Sequence, residues 1–468
     1  MSYQSLNPAT GKLLKKFDEL TDKELETKIA TAAACFETWR KKTYAERAVV
    51  VAKASAMMHA KADELAHTMT LEMGKRINEA RGEVEFSSNI LAYYAKNAER
   101  FLVPVKLHPS LGEGHMESSP IGLVFCVEPW NFPYYQLARV AGPQLMAGNV
   151  LIIKHAENVP QCALAFARLF AEAGAPAGVY TNVFASIDQI GRLIEDPRIA
   201  GVTVTGSERA GSAVAERAGR SLKKAVMELG GSDPLIVLED ADLQHALAGA
   251  LFGRMFNTGQ SCVSSKRIIV VGQERGETFL RGFSAGLASL QAGDPADPDT
   301  TLGPLSSEKA LDLLLEQIRV AKDGGAEVVL GGERIDRPGY YLQPTILTGI
   351  NEKNPASVLE FFGPVASLYV VDTEDEAVDV ANATPFGLGA SVFTGDVEAG
   401  RRVARQIESG MVFINQPAWT APEIPFGGIK NSGFGRELSE LGFGEFVNRK
   451  LVNAAPAGSP PWGPVPVP

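Results

Sequence analysis

Cys262 is the first candidate for chemistry in this sequence. It closes the segment Asn257-Thr-Gly-Gln-Ser-Cys262, which follows a glycine-containing turn and precedes the polar start of a predicted strand. The other three cysteines lie in apolar contexts typical of buried, unreactive thiols (Cys35, Cys126 and Cys162). A free thiol has a pKa of about 8.5 and needs an activating partner to act as a nucleophile. Catalysis by this thiol would therefore need an acid–base group and an oxyanion donor nearby.

Glu228 is the candidate acid–base group. It ends an apolar, strand-like run and is followed by Leu229 and then by the pair Gly230-Gly231. Burial of a carboxylate raises its pKa towards the range of a general base. The alternative is an exposed glutamate that precedes a turn.

Asn131 is the candidate oxyanion donor. It stands in Pro129-Trp-Asn-Phe-Pro133, where two prolines and two aromatic residues restrict the amide side chain. The Asn131 amide and the Cys262 backbone N–H could stabilise a tetrahedral oxyanion, and each such donor contributes about 2.7–4 kcal/mol. Taken alone, the motif is a proline-bounded turn.

Strands that alternate with helices must position these groups. Residues 22–100 show helical periodicity, and from about residue 121 strand-like runs are each followed by a helical run. This alternation predicts parallel βαβ units. We expect two α/β domains joined near residues 228–233, and an extended, proline-rich C-terminal tail.

Composition limits the function classes. The 468 residues carry a formal charge of −10, which argues against a nucleic-acid partner. No run of 18 apolar residues and no secretory signal is present, so we expect no membrane association and a soluble, cytoplasmic protein. Scattered histidines and the absence of a CxxC pair predict no metal site.

Five motifs, in this order along the chain, resemble those of the aldehyde dehydrogenase superfamily. They are Pro-Trp-Asn-Phe-Pro (129–133), Glu-Leu-Gly-Gly (228–231), Gly-Gln-Ser-Cys (259–262), Glu-Phe-Phe-Gly-Pro (360–364) and Pro-Phe-Gly-Gly (425–428). The resemblance covers roughly residues 5–454. It implies an α/β fold with a Rossmann-like cofactor domain, an α/β catalytic domain and a β-hairpin oligomerisation arm.

The resemblance also implies domain boundaries and an assembly. The expected NAD-binding domain comprises residues 1–101 and 123–229, and the catalytic domain residues 230–432. The expected arm comprises 102–122 and 440–455, followed by a proline-rich tail over 456–468. The arm implies a homodimer or a homotetramer.

Residue by residue, Cys262 matches the family's nucleophile, Glu228 its general base and Asn131 its oxyanion donor. The positions that match cofactor contacts are Trp130, Lys154, Glu157, Gly206, Ser207, Gly211, Leu229, Glu360 and Phe362. Glu157 would hydrogen-bond the ribose hydroxyls and repel a 2′-phosphate. We therefore expect NAD to be preferred, with NADP also possible, unless Glu157 points elsewhere.

Arg139 is the candidate determinant of substrate class. It lies eight residues after Asn131, about two helical turns on, so we expect it on nearly the same helix face. It resembles the carboxylate-binding arginine of succinate-semialdehyde dehydrogenases, in particular the short bacterial NAD(P)-dependent branch. Its guanidinium would hold an anionic substrate tail. The alternative is a structural ion pair with a neighbouring carboxylate. Other expected substrate contacts are Phe132, Tyr135, Trp419 and Thr420.

Two departures from the family pattern affect these assignments. Phe256 stands where some relatives have a second arginine, so the substrate carboxylate would depend on Arg139 and hydroxyls such as that of Thr420. Val140 stands where a lysine often follows, which removes one partner from a proton relay between Glu228 and Glu437.

The sequence thus predicts an NAD(P)-dependent enzyme that oxidises succinate semialdehyde, or a similar short ω-carboxylate aldehyde, to the acid. The reaction would pass through a thiohemiacetal and a thioester on Cys262. A broad-range aliphatic or aromatic aldehyde dehydrogenase is the alternative within the family. A non-enzymatic binding protein is the alternative outside it, and the joint presence of Cys262, Glu228 and Asn131 argues against that.

Overall fold

The structure is a computed structural model that describes residues 3–459. Its N-terminal part is an antiparallel strand pair followed by four helices: β1 (Tyr3–Asn7), β2 (Lys12–Phe17), α1 (Asp22–Trp39), α2 (Tyr44–Ala60), α3 (Ala62–Met73) and α4 (Ile77–Leu102). Threonine capping boxes start α1 and α2, in which Thr21 pairs with Glu24 and Thr43 with Glu46. The predicted helical stretch over residues 22–100 is present.

The next segment alternates strands and helices. Its elements are β3 (Val105–Leu107), β4 (Glu113–Pro120), β5 (Leu123–Glu128), α5 (Tyr135–Ala147), β6 (Val150–His155), α6 (Pro160–Ala173), β7 (Tyr180–Asn182), α7 (Ile187–Glu195), β8 (Ile199–Thr205), α8 (Glu208–Arg220) and β9 (Lys224–Glu228).

A second alternating segment follows. Its elements are β10 (Asp233–Val237), α9 (Leu243–Met255), β11 (Ser265–Val271), α10 (Gln273–Ala288), α11 (Glu308–Asp323), β12 (Glu327–Leu330), β13 (Thr345–Thr348), β14 (Val365–Val371), α12 (Glu374–Asn382), β15 (Phe386–Gly387), β16 (Gly389–Phe393), α13 (Val397–Ala404) and β17 (Met411–Ile414). Short 3₁₀ turns occupy Phe256–Gly259 and Pro355–Val358, and a third occupies Leu441–Phe446 near the C-terminal strands β18 (Ile429–Lys430), β19 (Gly433–Phe434) and β20 (Val447–Ala454).

Two large sheets form the two halves of the molecule. The first has the order β19-β9-β8-β5-β6-β7 and is parallel except for β19, which pairs antiparallel with β9. The second has the order β12-β13-β14-β11-β10-β16-β17 and is parallel except for β12. The central strands are apolar and buried because helices cover both faces of a parallel sheet. The predicted α/β class is confirmed.

The direction of the strand order reverses at β5 in the first sheet. Strand β6 lies on one side of β5 and β8 on the other, so the crevice beyond their carboxyl ends is a topological switch point. Ligands of open α/β sheets bind in such crevices. Several predicted cofactor residues follow directly on these strand ends.

A third, antiparallel sheet has the order β20-β4-β3, with eight residue pairs between β20 and β4. It matches the segments expected for the arm, whereas β19 returns to the first sheet just beyond the expected end of the catalytic domain. The domain boundaries stay a prediction. Most of the predicted tail, residues 460–468, lies outside the described residues, and 456–459 form a turn.

Within residues 3–459, no helix is long and apolar enough to cross a membrane. The same part of the chain contains no group of three or more His, Cys, Asp or Glu side chains arranged to hold a metal ion.

Candidate active site

Cys262 is presented on a strained turn between α9 and β11. Asn257 and Thr258 have φ values of 57° and 54°, and Gly259 follows at 73°. A Cβ at Gly259 would lie 2.4 Å from the carbonyl oxygen of Gly363, so this position requires glycine. Strain of this kind persists only where the surroundings fix the turn. Cys262 is partly exposed, whereas the other three cysteines are buried.

The Asn131 amide is held in one orientation. Its Nδ2 donates to the carbonyl oxygen of Gln260 at 3.1 Å, and its Oδ1 accepts from Nε2 of Gln136 at 3.0 Å. Because the Gln260 carbonyl can only accept, these two bonds fix which end of the amide faces the cysteine turn. One N–H of Nδ2 remains for an oxyanion.

A buried ion pair supports the loop that carries Asn131. Lys75 pairs with Glu83 and also donates to the Asn131 carbonyl oxygen at 2.9 Å. The other carboxylate oxygen of Glu83 accepts from the backbone N–H groups of Tyr134 and Tyr135, at 2.9 and 3.1 Å. A carboxylate at the first turn of α5 satisfies N–H groups that have no partner in the helix.

Glu228 ends β9 and is 2 % exposed. Among the described residues, neither of its carboxylate oxygens has a hydrogen-bond partner, and Oε1 would lie 2.7 Å from a Cβ built at Gly427. Burial, and then the charge of Glu437, raise the pKa of Glu228 well above its usual range. The structure gives no hydrogen bond between Glu228 and Cys262, but the free oxygens can accept a proton from water.

The structure corrects the expected position of Arg139. The side chain is 1 % exposed and forms an ion pair with Glu437, and its Nη2 donates to Thr205 Oγ1 at 2.9 Å. The expectation failed because α5 begins at Tyr135, so Asn131 lies outside the helix and the two residues share no helical face. The alternative of a structural ion pair is the observed one. Arg139 reaches the cavity only through Nη1, which lies 3.4 Å from the Tyr135 hydroxyl.

A cavity of about 540 Å³ ends at Cys262. Four of the five predicted substrate contacts line it, namely Phe132, Tyr135, Trp419 and Thr420. Aromatic side chains dominate its wall: Phe86, Phe132, Tyr135, Phe252, Phe256, Trp419 and Phe426. The rings of Phe132 and Phe256 stack at 5.9 Å, and Phe256 meets Trp419 at 5.1 Å. The hydroxyls of Tyr135 and Thr420 lie 3.1 Å apart and form a polar point on this apolar wall.

The carboxyl ends of β5, β6 and β8 gather the predicted cofactor residues. Trp130 follows β5, Lys154 is the penultimate residue of β6, and Gly206 and Ser207 follow β8. Ser207 caps α8, and a Cβ built at Gly206 would meet nothing closer than 3.9 Å. Gly211 lies so close to Leu229 that a Cβ would approach its side chain to 2.5 Å. An open helix N-terminus of this kind fits the pyrophosphate of a dinucleotide.

The remaining cofactor candidates lie between the two halves. Glu360 Oε1 accepts from the Gly231 N–H at 3.0 Å and lies 3.1 Å from Lys266 Nζ. The rings of Phe362 and Trp130 meet edge to face at 5.8 Å. These side chains and the helix N-terminus together fit a pyridine nucleotide that extends from α8 towards Cys262.

Glu157 and Lys154 form an ion pair at 2.5 Å. Although burial alone would raise the pKa of Glu157, the ammonium of Lys154 outweighs it and holds the pKa below its usual value. The carboxylate therefore stands beside a cation, and its charge on a neighbouring ligand is largely offset.

Several residues that support the site are not predicted from the sequence. Lys75, Glu83, Gln136 and Lys266 support the catalytic turns, yet each is an ordinary polar residue in an amphipathic or strand-like run. The GQSC motif could have drawn attention to Lys266, four residues after Cys262, but its contacts depend on the folded turn.

Comparison with known proteins places this site in a family. Residues 1–452 match the Aldehyde dehydrogenase family. The chain is 46 % identical over 459 residues to succinate-semialdehyde dehydrogenase [NADP(+)] of Deinococcus radiodurans, covering 98 % of this chain and 96 % of that protein. It is 43 % identical over 457 residues to succinate-semialdehyde dehydrogenase [NADP(+)] 1 of Mycobacterium tuberculosis strain H37Rv, covering 97 % and 99 %.

A solved structure of a protein with a related name is similar over almost the whole chain. Succinic semialdehyde dehydrogenase from Streptococcus pyogenes, crystallised with NADP+ as the cofactor, superimposes with a TM-score of 0.95 at 44 % identity, covering 97 % of this chain and all of that one.

The expected preference for NAD is wrong. The relatives are named for NADP+, and the Streptococcus structure holds NADP+. The structure supplies a physical reason, since the carboxylate that was expected to repel a 2′-phosphate is paired with Lys154.

Proposed function

The chain belongs to the aldehyde dehydrogenase family, and on that premise we propose that it oxidises succinate semialdehyde to succinate with NADP+. The observation that carries the substrate assignment is the similarity to relatives of that name over almost the whole chain. The polar point in the cavity, formed by Tyr135 and Thr420, supports it.

Cys262 is the proposed nucleophile. Its thiolate adds to the aldehyde carbon, and the resulting oxyanion of the thiohemiacetal lies within reach of the free N–H of Asn131. Gln136 holds the amide for this contact. The aromatic cavity wall surrounds the adduct with mostly apolar surface.

A bound NADP+ supplies the acceptor for the hydride that leaves the thiohemiacetal carbon. The residues proposed to hold it are Lys154 and the α8 N-terminus for its phosphates, and Glu360 for ribose hydroxyls. Trp130 and Phe362 supply the aromatic surface beside it.

Glu228 is the proposed general base of thioester hydrolysis. Its two unpartnered oxygens can take a proton from water, which then attacks the thioester carbonyl. Hydrolysis releases the free acid and restores the thiol. Glu437 is buried, as Glu228 is, and is the candidate to take the proton on from Glu228. Arg139 forms an ion pair with Glu437.

The substrate carboxylate is proposed to bind the hydroxyls of Tyr135 and Thr420. Burial raises the pKa of Tyr135 to about 12, so its hydroxyl keeps its proton and can donate. Arg139 lies behind Tyr135, where its Nη1 lies 3.4 Å from the Tyr135 hydroxyl and its charge is paired with Glu437.

The test compares kcat/KM with NADP+ for succinate semialdehyde and butanal. We expect a preference of roughly a hundredfold for succinate semialdehyde, because a site that hydrogen-bonds a polar group discriminates against an analogue without it. Equal values would favour the broad-range alternative. The same assay with NAD measures the cofactor preference.

We also propose a homodimer or homotetramer built through the β20-β4-β3 sheet. Leu451 on β20 is 64 % exposed and Val105 on β3 is 50 % exposed, so this sheet offers apolar surface and free strand edges to a second copy. Sedimentation of the whole chain tests it, and a monomer at micromolar concentration would refute it.

A cytoplasmic location, suggested by the four unpaired cysteines, can be tested by cell fractionation.

A further inference from the structure

Lys266 is a fully buried cation, and two of its three polar contacts are with the nucleophile turn. Its Nζ donates to the carbonyl oxygens of Ser261 at 2.8 Å and Cys262 at 2.7 Å. The third contact is with Glu360 Oε1 at 3.1 Å. The side chain is 0 % exposed, so water screens its charge poorly.

Glu360 is the counter-ion of this lysine and is 19 % exposed. Its Oε1 is fixed by the Gly231 N–H as well as by Lys266. The carboxylate therefore stands close to the same turn as the ammonium and carries the opposite charge.

Four charged groups act on the Cys262 thiol. Burial raises its pKa to about 11, while Lys266 and Arg139 act to lower it and Glu360 and Asp233 to raise it further. Arg139 is paired with Glu437, and Asp233 accepts from the Gly389 N–H at 3.1 Å. Lys266 is the cation among them that hydrogen-bonds to the cysteine turn itself.

We propose that Lys266 and Glu360 control the nucleophile in opposite directions: the Lys266 ammonium stabilises the Cys262 thiolate, and the Glu360 carboxylate partly cancels that stabilisation. This assignment makes Lys266 a positioning and tuning residue for the reaction, and it rests on the proposed role of Cys262 as nucleophile. The sign of each effect follows from Coulomb's law for charges around a thiolate.

A purely structural role makes a different prediction. If Lys266 only braced the turn, loss of either partner of the ion pair would loosen the same turn and change Cys262 in the same direction. If the pair acts through charge, the loss of the two partners has opposite effects.

The experiment measures the pH dependence of iodoacetamide alkylation at Cys262, read by mass spectrometry of its peptide. We expect Lys266→Met to raise the apparent thiol pKa by about one unit and to slow alkylation at neutral pH about tenfold. Lys266→Arg should restore most of the rate. Glu360→Gln should shift the apparent pKa in the opposite direction and speed alkylation at neutral pH.

Arg254→Met is the matched control. Arg254, near the end of α9, is a second buried cation that contacts the turn, and its Nη2 donates to the Gly259 carbonyl oxygen at 2.6 Å. It is not among the charges that act on the thiol. Its loss should leave the apparent pKa of Cys262 unchanged. A shift equal to that of Lys266→Met would overturn the proposal, as would shifts of the same sign in Lys266→Met and Glu360→Gln.

Glu360→Gln decides the question if Lys266→Met does not fold, because it removes a partly exposed charge and leaves the lysine in place. An unchanged or higher apparent pKa in that variant overturns the proposal. Alkylation needs no aldehyde, so turnover of succinate semialdehyde by the wild-type preparation separates failure of this inference from failure of the proposed function.

Discussion

Replacement of Tyr135 by phenylalanine removes one of the two hydroxyls proposed to hold the substrate carboxylate. In the structure this hydroxyl lies 3.1 Å from Thr420 Oγ1, on a wall that is otherwise mostly aromatic. A hydrogen bond to a charged group contributes about 1.5–3 kcal/mol. We therefore expect kcat/KM for succinate semialdehyde to fall by roughly 10- to 150-fold, whereas kcat/KM for butanal, which has no carboxylate, should stay within about twofold.

The adjacent residue provides the matched control. Tyr134 is also buried, but its hydroxyl lies against the Cys162 thiol and its ring packs against Phe166, away from the cavity. Tyr134→Phe should leave both substrates unaffected.

The measurement is initial-rate NADPH formation with each aldehyde at saturating NADP+. An equal loss for succinate semialdehyde and butanal in Tyr135→Phe would show that the hydroxyl supports the fold of the site and not recognition of the anion. No loss for either substrate would remove Tyr135 from the substrate contacts.

Three further predictions test the buried groups. Because burial raises the pKa of Glu228 and the base acts when deprotonated, kcat limited by hydrolysis should increase as pH rises through that raised pKa, and a pH-independent kcat would contradict this. Arg139→Met should lower the apparent melting temperature, since an unpaired buried Glu437 costs about 3–5 kcal/mol, and adding Glu437→Gln should restore most of it. Gln136→Met should reduce kcat about tenfold with little change in KM, because the Asn131 amide loses the bond that orients it, and an unchanged kcat would show that the amide needs no support.

Candidate reacting groups could be named from the sequence more readily than the side chains around them. Cys262, Glu228 and Asn131 stand in short motifs next to glycine or proline, whose backbone restrictions are local and can be seen in the sequence. The alternation of strands and helices likewise predicted the parallel sheets, because hydrophobic periodicity is a local signal.

Charge pairing could not be predicted in the same way. The partner of Arg139 is Glu437, which lies far along the chain and reaches the site only after the C-terminal segment returns to the first sheet. The sequence alone does not show that Glu157 is paired. Lys154, three residues earlier, neutralises its charge, and only the folded turn after β6 shows that the two side chains meet. The predicted preference for NAD assumed that Glu157 was unpaired, so the ion pair with Lys154 removes its physical basis.

We propose that succinate semialdehyde is oxidised to a thioester on Cys262. Water activated by Glu228 then hydrolyses this thioester and releases succinate. The most direct test incubates Glu228→Gln with succinate semialdehyde and NADP+ and examines the protein by peptide mass spectrometry. We predict one equivalent of NADPH formed rapidly and a succinyl thioester on Cys262, because oxidation proceeds while hydrolysis lacks its base. NADPH formation without an adduct on Cys262, or an adduct on another cysteine, would contradict the assignment of the nucleophile.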